Sequence, residues 1–291
     1  MCRATPIDKN YMNKNIKNLV LSLAGTAVGV AATWQGLCIA RYGISTEKLS
    51  SDITAVVVSD LHSTRYGECQ NELIDAILEQ EPDIILIPGD IIDEERDPAP
   101  AFTLLKQLVR IAPTYMVTGN HEYYGGRADD IIRELRSFGI NMLFGERAAF
   151  IKNGEKIFIY GIEDKYGARE DWSRQRSCVL GAMDRERLSV LISHRPDLVD
   201  DYNEVAADIT VCGHAHGGQV VIPGLLNGLF APHQGFFPKY AGGRYSLENT
   251  EMIVCRGLMK SMLPRVFNPP ELAVIEIHGL RDKTESGGEK I

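Results

Sequence analysis

ITAVVVSDLH, residues Ile53–His62, carries the pattern on which the whole architecture turns. An apolar β-branched run, Ile53–Val58, reads as a buried strand. It ends in a carboxylate, Asp60, and two residues on in an imidazole, His62. The pattern repeats along the chain. IILIPGD closes on Asp90, TYMVTGN on Asn120 followed by His121, LSVLIS on His194, and ITVCG on His214 and His216. Five of the seven histidines fall in these strand-end motifs. Packing in an ordinary core would not place them there.

The first half alternates strands and helices. Ile53–Val58, Ile84–Ile87 and Tyr115–Val117 read as strands, and 71–80, 101–111 and 128–138 as helices. Leu73, Ile74, Ile77 and Leu78 share one helical face. That rhythm implies parallel, buried strands with helices packed outside. After Phe138 the pattern turns mixed and richer in antiparallel pairs. Asn153-Gly154 marks a hairpin between 148–152 and 156–160. Further strands are expected at 189–192, 208–212, 219–222, 244–247, 252–255 and 272–277. The fold expected is mixed α/β: two sheets face to face with helices on both outer faces.

Composition bounds the function. The chain has 291 residues, 44% hydrophobic and 24% charged, a globular balance with ample core. A net charge of −8 argues against a nucleic-acid partner, because such affinity rests on clustered Lys and Arg. No protein partner is called for. Six scattered cysteines without a CxxC pair exclude a zinc knuckle and a small disulfide scaffold.

The run from Asn18 to Ala40 carries no charge, and residues 19–40 are long enough for a membrane-spanning helix. Arg3, Lys9, Lys14 and Lys17 precede it against Asp8 alone, a bias that places the N-terminus in the cytoplasm and everything after Arg41 outside. The alternative is a cleaved signal peptide, with Val30-Ala31-Ala32 as the cleavage site and a secreted product. The domain plan is therefore a cytoplasmic segment 1–18, an anchor or signal 19–40, a catalytic domain 41–280 and a flexible tail 281–291.

The strand-end set offers Asp, Asn and His, hard and borderline ligands for divalent metals. Asp60 and His62 can reach one ion together, and Asp90 has two oxygens with which to bridge two. His214 and His216 have the spacing to serve adjacent ions. Singly each motif is weak; all five in order are specific. Asp93 reads equally as a helix cap or as support for a ligand. Arg65, Arg195, Tyr123 and Tyr124 adjoin the motifs and are candidates to hold substrate, although exposed arginines and packed tyrosines are the commoner outcome. His233 reads as an ordinary loop residue and His278 as an exposed strand end.

The chain resembles the calcineurin-like metallophosphoesterases over residues 50 to about 278, in particular their bacterial, often membrane-anchored branch. The resemblance rests on Asp60-Leu61-His62-Ser63, Gly119-Asn120-His121-Glu122-Tyr123-Tyr124, Ser193-His194-Arg195-Pro196-Asp197, Gly213-His214-Ala215-His216-Gly217-Gly218-Gln219, and residues 264–272, PRVFNPPEL. Ala215 departs from the Thr common at that place, and it is not a ligand position. The resemblance implies one metal on Asp60, His62, Asp90 and His216, and a second on Asp90, Asn120, His194 and His214. Manganese, iron or zinc would suit, and a hydroxide bridging the ions would attack phosphorus. The resemblance makes His121 the residue that assists the leaving oxygen, with Glu122 orienting it. The expected substrate is a phosphorylated small molecule, glycolipid or envelope component, and a phosphodiester is favoured. UDP-2,3-diacylglucosamine is the alternative substrate, and a catalytically silent metal-binding scaffold is the non-enzymatic alternative.

Overall fold

The computed structural model describes residues 22, 26, 29–167, 171–260 and 265–281. The first half supplies β1 (Cys38–Thr46), β2 (Ile53–Val57), α1 (Asn71–Leu78), β3 (Ile84–Ile87), α2 (Ala99–Ile111), β4 (Thr114–Met116), α3 (His121–Tyr124), α4 (Ala128–Ser137) and β5 (Asn141–Met142). There follow β6 (Arg147–Lys152), β7 (Glu155–Ile162), α5 (Trp172–Ala182), β8 (Ser189–Ser193), α6 (Val199–Val205) and β9 (Ile209–Cys212). The remaining strands are β10 (Phe230–Ala231), β11 (Gly235–Phe236), β12 (Gly243–Ser246), β13 (Glu251–Val254) and β14 (Glu271–Gly279).

Two six-stranded sheets form, in the orders β1-β14-β2-β3-β4-β5 and β12-β13-β9-β8-β7-β6. The centre of each is parallel: β2, β3, β4 and β5 in one, β13, β9, β8 and β7 in the other. Antiparallel pairs join β14 to β2, β12 to β13 and β6 to β7. The second half is thus mixed and richer in antiparallel pairs than the first, as its sequence suggests, although the centre of its sheet is parallel.

Strand periodicity sorts the core into three layers. Ala55, Val57, Leu86, Ile159, Val190, Ile192, Val211 and Ile275 point between the sheets. Their neighbours Val56, Ile85, Ile87 and Val274 face Leu73 and Ile77 of α1 and Leu104 and Leu108 of α2. On the other outer face Tyr160, Leu191, Cys212 and Val254 meet Trp172 and Val179 of α5 and Tyr202 of α6. Helices cover both outer faces, the expected arrangement. Leu78 departs from it: the last residue of α1 is 49% exposed. The hairpin forms as read, with Asn153 and Gly154 at positive φ between the paired Lys152 and Glu155.

Two expectations need correction. Residues 219–222 do not form a strand; they follow a short 3₁₀ turn, His216–Gly218, and make only isolated bridges. Of the expected span 19–40, residues 22, 26 and 29–40 are described, the rest lie outside the described residues, and its end is not helical. Residues 29–32 are helical, residues 34–37 are not, and Cys38–Ala40 open β1, paired with Glu271–Ala273. β1 therefore starts inside the expected span, and no described helix is long and apolar enough to cross a membrane. Among the described residues Cys38, Cys69, Cys178, Cys212 and Cys255 are all free thiols.

Candidate metal centre

All the strand-end motifs converge on one edge of the two sheets, where parallel strands present their carboxyl ends. Backbone hydrogen bonds lace the loops together. Asp60 N–H donates to Gly89 O (3.1 Å), His62 N–H to Asp90 O (3.1 Å) and Gly213 N–H to His194 O (3.0 Å). Asp60, His62, Asp90, His214 and His216 all have φ between 47° and 67°. Such conformations cost energy in non-glycine residues and cluster at functional sites. The motif glycines allow the tight approach. A Cβ on Gly213 would lie 2.1 Å from Ser59 Oγ and 2.4 Å from Asp60 Oδ2, and one on Gly119 would lie 2.1 Å from Asp90 Oδ1.

Two buried sets of ligand atoms result, Asp60 with His62 and His216, and Asp90 with His194 and His214, each within 4.8 Å of one another. Asp90 lies between them: its Oδ2 is 3.1 Å from His194 Nε2 and 3.8 Å from His62 Nε2. A third set, His62, Asp93 and His121, is less buried. Asn120, buried, places Oδ1 3.5 Å from Arg195 Nη2 beside the second set.

The electrostatics are those of a cation site. Burial opposes ionisation of Asp90, yet the imidazoles of His194 and His62 hold it well below the usual carboxylate range. Burial pushes Asp60 up, and Asp90 adds to the effect while His194 and His62 oppose it. His194 is desolvated but raised to about 10 by Asp90. Burial pushes His214 and His216 well below the ordinary range, helped by the neighbouring His194 and His62 respectively. Among the described residues, buried His62 Nε2 and His216 Nδ1 have no hydrogen-bond partner. Buried polar atoms are rarely left so. Orphaned ring nitrogens beside paired carboxylates fit a divalent ion with nitrogen and oxygen ligands.

Supporting groups fix the ligands. Asp93 Oδ2 lies 3.1 Å from His62 Nδ1; no helix starts there, so Asp93 supports a ligand rather than capping a helix. The carbonyl of Pro88 sits 2.8 Å from His194 Nδ1, and Asp60 Oδ1 accepts the His214 N–H at 2.8 Å. Arg195 is buried, not exposed; it pairs with Asp164 and donates to His214 Nε2 at 3.0 Å.

His121 borders the first set, its ring edge-on to His62 with centroids 4.4 Å apart. Its Nδ1 lies 2.6 Å from Glu94 Oε2. Glu122, expected to orient His121, does something else. Fully buried, it accepts the N–H groups of Asp90 (3.0 Å), Ile91 (2.8 Å), Ile92 (3.1 Å) and Gly119 (2.8 Å), tying two motif loops together. Arg65 is not in the site; it is exposed and paired with Asp97. Tyr123 donates to Glu163 at 2.7 Å, and Tyr124 is exposed beside His121. His233 is more than an ordinary loop residue: it contacts Arg195, and its Nδ1 is 3.1 Å from His214 Nε2. His278 is an exposed strand residue, as expected. Glu94, Asp164 and His233 had no signal of their own, since only the folded loops bring them to the motifs.

The calcineurin-like phosphoesterase family model matches residues 53–218, the span holding every one of these ligand atoms. The chain belongs to the calcineurin-like phosphoesterase family. As a member it is a metal-dependent hydrolase of phosphoesters. The phosphoesterase is 26% identical over 237 residues to an uncharacterized metallophosphoesterase of Helicobacter pylori, covering 79% of this chain and 61% of that one. It thus spans less than two thirds of that relative's length. It is 28% identical over 228 residues to phosphodiesterase YaeI of Escherichia coli, covering 76% and 80% of the two chains. The fold matches the crystal structure of TT1561 of Thermus thermophilus with a TM-score of 0.50 at 9% identity, covering 71% of this chain and 90% of that one.

Proposed function

We propose that this phosphoesterase is a two-metal phosphodiesterase. One ion is held by Asp60, His62, Asp90 and His216, the other by Asp90, Asn120, His194 and His214. The observation that carries the reading is the position of Asp90 Oδ2, 3.1 Å from His194 Nε2 and 3.8 Å from His62 Nε2. One carboxylate thus serves two sets of ligand atoms. Bound there, manganese, iron or zinc would polarise the phosphoryl oxygens and make the attacking water nucleophilic at neutral pH.

The chain's own groups complete the reaction. Glu94 engages His121 Nδ1, which leaves Nε2 to deliver a proton to the departing oxygen. Beside His121 a cavity of about 120 Å³, lined by Ile92, Phe102, Ile131, Arg96 and Arg127, receives the leaving group. Arg195 acts through His214 as a positioning residue. Similarity to phosphodiesterase YaeI supports a diester. The substrate is a phosphorylated small molecule, glycolipid or envelope component, and the basic residues ahead of the uncharged run support a catalytic domain outside the cytoplasm.

Elemental analysis of the full chain should find two ions, and bis-p-nitrophenyl phosphate should be cleaved faster than p-nitrophenyl phosphate. Asp90→Asn should lower metal content and abolish hydrolysis, because an amide lacks both the charge and a second strong oxygen. One ion per chain, or near-normal turnover in Asp90→Asn, would overturn the two-metal reading.

A further inference from the structure

The sequence between Asp208 and Glu248 contains no acidic residue, and from Gly217 to Pro238 it contains no charge at all, in a protein of net charge −8. That stretch forms a loop and the small hairpin β10–β11. It carries exposed large apolar side chains: Leu225 is 81% exposed, Phe236 70% and Phe237 68%. Phe230 and Phe236 stack edge-on at 5.4 Å, with Phe237 6.5 Å beyond. The backbone holds them out: Leu226 N–H donates to Ile222 O and Phe237 N–H to Leu229 O, both at 2.8 Å.

This apolar face meets the N-terminal run. Val221 N–H donates to Val266 O (2.9 Å), and Phe267 N–H to Ala32 O (2.7 Å). Val30 and Trp34, beside that junction, are also exposed. Residues 30–34 of the uncharged run therefore lie on the same side of the molecule. Contiguous exposed apolar surface on this scale marks an interaction face.

We propose that residues 222–237 dock on a lipid bilayer, with Leu225, Phe236 and Phe237 among the acyl chains. The occupant follows from the chemistry. The exposed tips are aromatic and aliphatic with no charged group among them, as at a membrane interface. No carboxylate in the stretch would repel anionic headgroups, and exposed Lys239, just after Pro238, is placed to meet them. Val30 and Trp34, exposed where the described part of the N-terminal run joins this face, extend the same apolar surface. His233 belongs to the same loop and touches the His214 side of the metal centre. Docking therefore brings the rim of the site to the headgroup layer, and, on the phosphoesterase reading above, the substrate is a lipid-borne phosphoester.

The test uses the full chain with vesicles of phosphatidylcholine and phosphatidylglycerol. In Phe237→Trp, brominated acyl chains should quench the added emission after subtraction of the Trp34 and Trp172 signal from the unaltered chain. Leu225→Ser with Phe236→Ser and Phe237→Ser should keep hydrolysis of soluble bis-p-nitrophenyl phosphate but lose about 10-fold or more on a vesicle-embedded phosphodiester. Vesicle binding without quenching at position 237 would assign attachment to the N-terminal run alone and overturn the proposal. An unquenched chain sedimenting as a dimer would overturn it in favour of a second copy. If the unaltered chain failed to cleave any phosphoester, the phosphodiesterase reading would fall, whereas quenching would still decide the docking face.

Discussion

The carboxylate of Glu94 lies 2.6 Å from Nδ1 of His121, with Asp93 Oδ2 4.0 Å away on the same side of the ring. The pair fixes which ring nitrogen faces the site. On the proposed mechanism His121→Ala should lower kcat by ~10²–10⁴-fold while both metals stay bound, the usual worth of acid–base assistance. Glu94→Gln should lower kcat by about 10-fold with KM little changed, because the ring keeps its place but loses its charged partner. Loss of metal in His121→Ala, read by elemental analysis, would make His121 a ligand within the His62–Asp93–His121 set.

Glu122 is the keystone of two loops. Its carboxylate takes four backbone N–H groups, from Asp90, Ile91, Ile92 and Gly119. Glu122→Gln turns one acceptor into a donor facing buried N–H groups. The expected loss is ~2–4 kcal/mol of unfolding free energy, since a buried unmatched polar group costs ~1–3 kcal/mol and bonds to a charge are worth more than neutral ones. Denaturant titration measures it. A variant as stable as the parent would show that the N–H groups find other partners.

Gly213 tests the close approach. A methyl there would lie 2.1 Å from Ser59 Oγ and 2.4 Å from Asp60 Oδ2, distances no Cβ tolerates. Gly213→Ala should fold yet bind metal weakly, because Asp60 must move to admit the methyl. Isothermal titration with Mn²⁺ reads the effect. Unchanged affinity would mean that Asp60 can shift freely without loss of its ligand role.

Far from the site, Glu155 ties β7 to the β1–β2 connection. It accepts Ser50 N–H at 3.0 Å, Ser51 N–H at 3.1 Å and Ser51 Oγ–H at 2.8 Å, and pairs with Arg281. Burial opposes its charge, but the Ser51 and Ser50 donors and Arg281 together hold its carboxyl below the ordinary range. A carboxyl lowered by folding contributes stability above the unfolded pKa of ~4.3, and that contribution is lost as pH falls through the folded value. Glu155→Gln should therefore be less stable than the parent by ~1–3 kcal/mol at pH 7. The gap should narrow as pH falls below ~4.3 and close once it has passed the folded value, where the parent's carboxyl is neutral like the amide. Thermal melts across that range check the sign; a constant gap would refute an electrostatic origin.

The parallel strands of the first half and the strand-end places of the candidate ligands were legible in the amino-acid order alone, whereas the parallel centre of the second sheet was not. The reason is local. A buried parallel strand must be a short apolar run, and the residue after it stands at the sheet's carboxyl edge whatever lies elsewhere. Asp60, His62, Asp90, Asn120, His194, His214 and His216 each follow such a run, so their meeting needed only the strands to align. Relations between segments remote in sequence came only with the assembled molecule. Cys38–Ala40 read as the end of an apolar helix, yet pair with Glu271–Ala273 at the far end of the chain. Half-buried β1 has no strong pattern of its own, and its partner strand supplies the hydrogen bonds that make it a strand. Arg195 reads as exposed until Asp164, at the end of β7, neutralises it inside the protein. Glu122 reads as a helper of His121 until the backbone N–H groups of another loop claim it. A buried charge goes where its compensating donors are, and only the assembled fold says where that is.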